Sequence, residues 1–499
     1  MRKVLVIRLS SLGDVVLTLP VFQRLRAAYP DAHITVLVKE SFADVLKEER
    51  TINEVMTLGR GESLVEICRR VRRAGFDGIL DLHANVRSRL ITAFSGARHV
   101  VRYRKAALAR RLFVAWRFGF DALREHTLDR YLEAASRFVP QKGVQLPVPP
   151  SRILIIQTAF LGDAVLTTPL LGALHEQFPE SRLVILCTPE IADVFVRHPA
   201  VSEVILFDKR GLERSWRSKW KLVRRLRAMQ FGLAIIPHRS VTSALLAFLA
   251  RIPRRVGFSA SQGQWLLTDV VPFQWGVHDV ERNLALLKVF GAHNPNRDLW
   301  LKAEPESVQR MNDRLRTAGV GPFDKLIGIN AGSVWATKRW LPEGFAAVAD
   351  RLIREPGTKV IFTGGSKDME PMRQILSLMR EKPINWVGDT TLKELMAVIG
   401  RCQAFLTNDS GPLHIAVALR VPTVAIFGPT TRELGFFPYG SGHIVIEKDL
   451  PCRPCSLHGA RKCPLEHFQC MKLITPDEVY DAVKVQLAKG NTQAAAVTA

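Results

Sequence analysis

Two short strings set a carboxylate in the same surroundings twice. Leu12-Gly13-Asp14-Val15-Val16-Leu17-Thr18-Leu19-Pro20 returns as Leu161-Gly162-Asp163-Ala164-Val165-Leu166-Thr167-Thr168-Pro169, identical at seven of nine positions and displaced by 149 residues. Each follows a β-branched run, Val4–Ile7 or Ile153–Ile156. Gly13 and Gly162 would permit a turn there, with Asp14 and Asp163 near the start of the next helix. A carboxylate so placed can take the proton of a substrate hydroxyl as a general base. It can equally serve only to cap the helix. Both roles stay open for each copy.

A second group of residues suits anions. Asn408-Asp409-Ser410-Gly411-Pro412-Leu413-His414 follows the run Ala404–Thr407. Pro412 is expected as the first helical residue, where a missing N–H costs nothing. The free N–H groups around Ser410, Gly411 and Leu413 would then face an anion, helped by the helix dipole. Ala331-Gly332-Ser333 and Lys338-Arg339-Trp340 follow the run Leu326–Ile329, so the Ser333 hydroxyl and the Lys338 ammonium could pinch one phosphate. Gly364-Gly365, after Val360–Thr363, allows close backbone approach. Any one of these loops fits an ordinary turn; together they point to a nucleotide diphosphate. G-x-G-x-x-G and G-x-x-x-x-G-K-[ST] are absent, which disfavours NAD and P-loop chemistry. D-x-D is absent too, so the leaving diphosphate would be neutralised by Lys338, His414 and backbone amides rather than by a carboxylate-held metal.

The elements that must position these residues alternate strand and helix. Apolar runs such as Ile34–Val38 and Leu183–Leu186 are separated by helical-period segments, the pattern of parallel strands with crossover helices. The repeat continues beyond the opening string. Pro30 pairs with Pro179 at the same offset; then, at 155, Phe76 pairs with Phe231, His83 with His238 and Ser88 with Ser243. His126 and Arg130 correspond to His278 and Arg282. Residues 1–146 and 151–300 thus read as two copies of one domain, joined by the proline-rich Leu146–Pro150, and 301–488 as a third α/β unit. This agrees with the roughly three domains that 499 residues suggest at about 150 each. Gly490 to Ala499 is expected to fray.

The net charge is +23. Its densest part, Arg98, Arg102, Arg104, Lys105, Arg110 and Arg111, is interleaved with Tyr103, Phe113 and Trp116, which suits an anionic membrane surface or simply a solvated helix face. No nucleic-acid-binding signature accompanies it, so nucleic acid is disfavoured as a partner. No run reaches the ~20 apolar residues of a membrane span, and Val4–Ile7 is too short for a signal peptide. A cytoplasmic protein is expected. Cys452, Cys455, Cys463 and Cys470 cluster near the C-terminus. A structural zinc, with His458 and His467 as spare ligands, and four reduced packing thiols both remain open; disulfides are disfavoured in that compartment.

Together with Phe427-Gly428-Pro429-Thr430 and the cysteine cluster, these strings resemble the glycosyltransferase family 9 heptosyltransferases, which build the inner core of lipopolysaccharide. The resemblance covers about 151–488 as a whole family member, and 1–146 as a second N-terminal half. It implies an α/β fold of GT-B type, two Rossmann-like parallel-sheet domains facing across a cleft, here with an extra N-terminal Rossmann-like domain. The residues 151–300 would bind the acceptor and 301–488 the donor, ADP-heptose, with inversion at the anomeric carbon and no cofactor required. Carried over by motif, Asp163 is the general base, with Asp14 the alternative. Ser333 and Lys338 would hold the diphosphate, and Asp409, Ser410, Gly411 and His414 the donor. Thr390 falls at the adenine and Asp368 at the ribose, with Glu370 nearly as well placed.

The lipid A–core acceptor implies a peripheral position on the inner face of the inner membrane. Asp163 is favoured over Asp14 because it is joined to the donor domain at ordinary family spacing. The first copy has Arg102 where the second has Gly257 and looks drifted; it would dock to the membrane, present the acceptor or swap into the cleft. A transferase for another nucleotide sugar and a non-catalytic sugar-nucleotide or lipopolysaccharide-binding scaffold are the alternatives.

Overall fold

The computed structural model describes residues 1–11, 14–15, 17–46, 49, 51–59, 61–103, 131, 134–135, 138, 149–209, 211, 213, 215–292 and 294–497. They fall into two compact units, Met1–Gln145 and Leu146–Ala499. The basic stretch beyond Tyr103, with Trp116, His126 and Arg130, lies outside the described residues, as do Leu12 and Gly13.

The first unit is built on a parallel sheet in the order β3-β2-β1-β4-β5, with β1 Lys3–Ile7, β2 His33–Lys39, β3 Glu54–Leu58, β4 Gly78–Asp81 and β5 His99–Arg102. Parallel strands covered on both faces need continuous apolar runs. Val4, Leu5, Val6 and Ile7 accordingly have no exposed surface. Helix α1, Leu19–Ala28, begins with Pro20 in its first turn. Helices α2, Leu64–Ala74, and α3, Val86–Phe94, each start on a capping box, Ser63 with Glu66 and Asn85 with Ser88. Reciprocal side-chain bonds of this kind satisfy two of the donors a helix start leaves unpaired.

The second unit holds two six-stranded parallel sheets. One runs β11-β10-β9-β6-β7-β8, from β6 Arg152–Gln157, β7 Arg182–Cys187, β8 Val201–Leu206, β9 Leu233–Ile236, β10 Arg254–Phe258 and β11 Asp269–Val271. The other runs β14-β13-β12-β15-β16-β17, from β12 Lys325–Asn330, β13 Thr358–Gly364, β14 Ile384–Val387, β15 Ala404–Asn408, β16 Thr423–Ile426 and β17 Ile444–Ile446. Numbered from its own first strand, each sheet has the doubly wound order 3-2-1-4-5-6, which puts its ligand crevice beyond the carboxyl ends of strands one and four. The five-stranded sheet of the first unit has the same order without the sixth strand. The fold is thus α/β, with an additional Rossmann-like sheet at the N-terminus.

One apolar cluster runs from Ile153 and Val165 to Phe405 and Ile415, so the two sheets of the second unit share a core. The C-terminal helix, Pro476–Val497, does not stop at Gly490 as expected but continues to Val497. Ala494, Ala495 and Ala496 are strong helix formers and carry it on. Among the described residues no helix is long and apolar enough to cross a membrane.

Candidate active site

The second Gly-Asp string lies where β6 ends. Gln157, the last residue of β6, shapes the loop: its Oε1 accepts from the Ala159 N–H at 3.1 Å and its Nε2 donates to Thr167 Oγ1 at 2.7 Å. The chain then enters a short helix, Leu161–Leu166, called α4 here. Asp163 is its third residue and accepts the Phe160 N–H at 3.2 Å. The capping role foreseen for it is therefore real, and leaves the other carboxylate oxygen for chemistry. Gly162 differs from expectation. It is not at a turn of positive φ but inside the helix, where a Cβ would stand 2.7 Å from Cδ2 of His414. The glycine is needed for close approach.

His414 belongs to Gly411–Ala418, helix α5, the first helix after β15. Helices α4 and α5 pack start to start, since a Cβ on Gly411 would likewise meet Leu161 at 3.0 Å. Burial pushes the His414 imidazole down to about 3, and its Nδ1 has no hydrogen-bond partner. Its ring fills the seam between the two strings, against Gly162. Pro412 is second in the helix rather than first, and the Leu413 N–H is not free but donates to the Ser410 carbonyl at 3.2 Å. Ser410, at the N-cap, places its hydroxyl 3.4 Å from Asn330 Oδ1.

The remaining loops converge on this point. Lys338 Nζ pairs with Asp409 Oδ2 at 2.5 Å, and Thr430 donates to the same oxygen at 2.6 Å. Asp409 thus holds the lysine in place through one carboxylate oxygen. Asn408, unassigned from sequence, ties the loops together: its amide donates to the Ala331 carbonyl at 2.9 Å and accepts from the Trp340 N–H at 3.0 Å. The Ser333 carbonyl receives Arg339 at 2.6 and 2.9 Å, leaving the Ser333 hydroxyl beside Lys338 in sequence but without a bond to it. Asp368 accepts the Gly365 N–H at 3.0 Å, and its carboxylate occupies the space a side chain on Gly332 would need. Burial raises its pKa. Thr390, half-buried, lies beyond β14 after the turn at Gly388.

Residues 452–470 fold over the Lys338 turn. Ala460 exchanges hydrogen bonds with Thr337, and Gly459 abuts Lys338 Cγ at a virtual Cβ distance of 3.1 Å. The four clustered cysteines are free thiols. Among the described residues no group of three or more His, Cys, Asp or Glu is disposed to hold a metal ion. Burial and the neighbouring thiols push Cys470 up to about 11.

Asp163 also faces a cleft that sequence reasoning had not furnished. Its walls include Arg239, Phe273, Trp275, Asp279 and Arg282. Asp279 and Arg282 sit in Asp279–Ala285 and pair at 3.0 Å; Asn283 donates to the other Asp279 oxygen at 3.3 Å. Asp163 has no ion pair among the described residues, and its pKa rises to about 7 through burial and the negative charge of Asp279. The segment 276–282 is clasped to 433–437. Gly276 N–H donates to Glu433 O and Asp279 N–H to Gly435 O, both at 2.9 Å. Arg282 Nη2 donates to Leu434 O at 2.8 Å, and His278 Nε2 lies 2.8 Å from Phe437 O. The sequence signal for His278 and Arg282 was their correspondence with His126 and Arg130, which carried no role.

In the first unit the equivalent carboxylate is in a different state. At the 149-residue offset Arg8 stands where the second copy has Gln157. Arg8 forms a short ion pair with Asp14, donates to the Leu82 carbonyl at 2.6 Å and lies over the Tyr131 ring. Burial alone would raise the Asp14 pKa, but Arg8 and two bonds from Ser11 outweigh it and hold the carboxyl below its usual range. Arg102 stands 3.9 Å from the buried Asp81 and donates to Thr92 at 2.7 Å.

Comparison with known proteins agrees with this geometry. The family profile of glycosyltransferase family 9 (heptosyltransferase) matches residues 219–466. The lipooligosaccharide heptosyltransferase 2 of Campylobacter jejuni is 28% identical over 337 residues, 67% of this chain and 98% of that protein. The lipopolysaccharide heptosyltransferase 2 of Escherichia coli K12 is 28% identical over 56% of this chain and 84% of its own. Among solved structures, a family 9 glycosyl transferase from Veillonella parvula superposes with a TM-score of 0.62 at 26% identity, covering 68% of this chain and 98% of that one. The E. coli ADP-heptose lipopolysaccharide heptosyltransferase II gives 0.57 at 25% identity, covering 68% and 99%. About a third of the chain lies outside each of these two superpositions.

Proposed function

We propose that this chain, whose residues 219–466 match the profile of glycosyltransferase family 9, is a family 9 enzyme that transfers heptose from ADP-heptose to the inner core of lipopolysaccharide, with Asp163 as general base. The observation that carries this reading is the state of Asp163: a carboxylate without a paired cation, in a cleft, on a helix packed start to start against the helix that opens on Ser410 and Gly411. A base must accept a proton near its working pH, and a carboxyl raised to about 7 does so far better than one at its ordinary value.

Attack by an acceptor hydroxyl on the anomeric carbon forms the new glycosidic bond and breaks the bond to the diphosphate. The hydroxyl proton passes to Asp163, and ADP leaves with the electron pair. Lys338, fixed by Asp409 and Thr430, is the cation available to the departing diphosphate; the N–H groups at Ser410 and Gly411 add their dipoles. Asp368 and Thr390 are proposed for the ribose and adenine. The cysteine-bearing loop 452–470 backs Lys338 and keeps water from it.

The first unit is a retained, non-catalytic module in this reading, since the Arg8 ion pair and the Ser11 bonds hold the Asp14 carboxyl below its usual range and make it a poor base. The test is ADP release from ADP-heptose in the presence of a lipid A–core acceptor. Release that depends on acceptor and is lost in Asp163→Asn supports the proposal; no release with ADP-heptose, or release with another nucleotide sugar only, refutes it.

A further inference from the structure

Arg239 lines the Asp163 cleft and acts on Asp163 and Asp279 through its charge, yet among the described residues its guanidinium makes no ion pair and donates no hydrogen bond. It follows β9, and its backbone is fixed by the Gln262 N–H, which donates to its carbonyl at 3.1 Å. Its guanidinium lies 5.5 Å from the centre of the Phe273 ring and 5.6 Å from that of Trp275. Aromatic faces hold such a cation in place while leaving its N–H fork open. No carboxylate or carbonyl among the described residues accepts from that fork. Arg282, across the same cleft, is by contrast paired with Asp279 and bonded to the Leu434 carbonyl through Nε and Nη2, although its Nη1 is buried without a hydrogen-bond partner.

The fork of an arginine matches a carboxylate or phosphate in two-point contact. Asp163 is in the same cleft, so an anion on Arg239 would sit beside the hydroxyl being deprotonated. Lys338 and the helix starting at Gly411 already serve the diphosphate on the other side. We propose that Arg239 is an acceptor subsite: it binds an anionic group, carboxylate or phosphate, carried by the sugar whose hydroxyl Asp163 activates. This deepens the transferase reading and rests on it for the word acceptor, but the anion site can be tested without turnover.

Calorimetry on the full-length protein with glucuronate, glucose 6-phosphate and ADP as probes provides that test. The wild type should bind at least one of the two sugar anions, and which one identifies the charged group. Arg239→Gln should weaken that probe by at least about tenfold, the scale of one charge-assisted hydrogen bond, Arg239→Lys by less, and ADP should bind all three proteins equally. In turnover, Arg239→Gln should raise the acceptor KM more than it lowers kcat. Absence of binding by both sugar anions, equal binding by Arg239→Gln, or a matching loss of ADP affinity would overturn the proposal. A wild type that binds a sugar anion but releases no ADP from ADP-heptose would instead remove the transferase reading and leave the anion site standing.

Discussion

Gly162 and His414 are in contact across the seam between the two sheets of the second unit: a methyl group on the first would stand 2.7 Å from the ring of the second. The most repeated string in the sequence and the phosphate-loop string are therefore joined as one packed unit. Gly162→Ala should overpack this seam at a cost of about 1–3 kcal/mol, read as a lowered denaturation midpoint. Gly162→Ala combined with His414→Ala should recover part of it. Equal losses in the single and double variants would show that the ring is not what the glycine accommodates.

The two Asp copies make opposite predictions. Asp163→Asn should lower kcat by about 10²–10⁴-fold, the usual contribution of a general base, with ADP affinity unchanged. Asp14→Asn should leave kcat within about twofold, because a carboxylate held by Arg8 takes no proton near neutrality. Comparable losses in both variants would contradict the assignment of Asp163 alone.

The pH profile follows from the raised Asp163 pKa. The base works only when ionised, so kcat/KM should fall as pH drops through about 7. In Asp279→Asn the negative charge that helps raise it is gone. The acid limb should then move to lower pH, while a merely structural loss would lower the plateau without moving the limb.

Removing one partner of the Lys338–Asp409 pair strands the other in a nearly closed site. Lys338→Met should cost about 3–5 kcal/mol of stability, as an uncompensated buried carboxylate does, and weaken ADP. Asp409→Asn keeps the shape and leaves Lys338 its charge, so ADP binding should suffer less. Denaturant titration and calorimetry on both variants separate the two effects.

Much of this fold was legible in the apolar runs. The expected strands at Ile34–Val38, Leu183–Leu186, Leu326–Ile329 and Ala404–Thr407 are the central ones, buried on both faces, so their sequences carry an unbroken signal. The edge strands Asp269–Val271 and Ile444–Ile446 are three residues long and half-covered, too short to leave a pattern. At the site, strand-end loops could be found because glycine, serine and lysine cluster in sequence. Asp279, Arg282 and Arg239 could not. They meet Asp163 only through the fold, and the partners of Arg282 and Asp279 in Leu434 and Gly435 are backbone groups some 150 residues away, which no residue type advertises. The place of His414 in the seam could not be read either, because it depends on a contact with Gly162 that a string of letters does not show.

The clasp between 276–282 and 433–437 reads its partner almost wholly through main-chain carbonyls. The exposed Glu433 side chain can therefore vary with little effect on it, whereas Gly435, His278 and Arg282 cannot, and Leu434 and Phe437 are held by their burial. A β-carbon on Gly435 would fall 2.5 Å from Arg282 Nη2. The tolerance of the seam to mutation is accordingly lopsided: its exposed edge at Glu433 is free to diversify, while the buried residues on both lips are obliged to stay as they are.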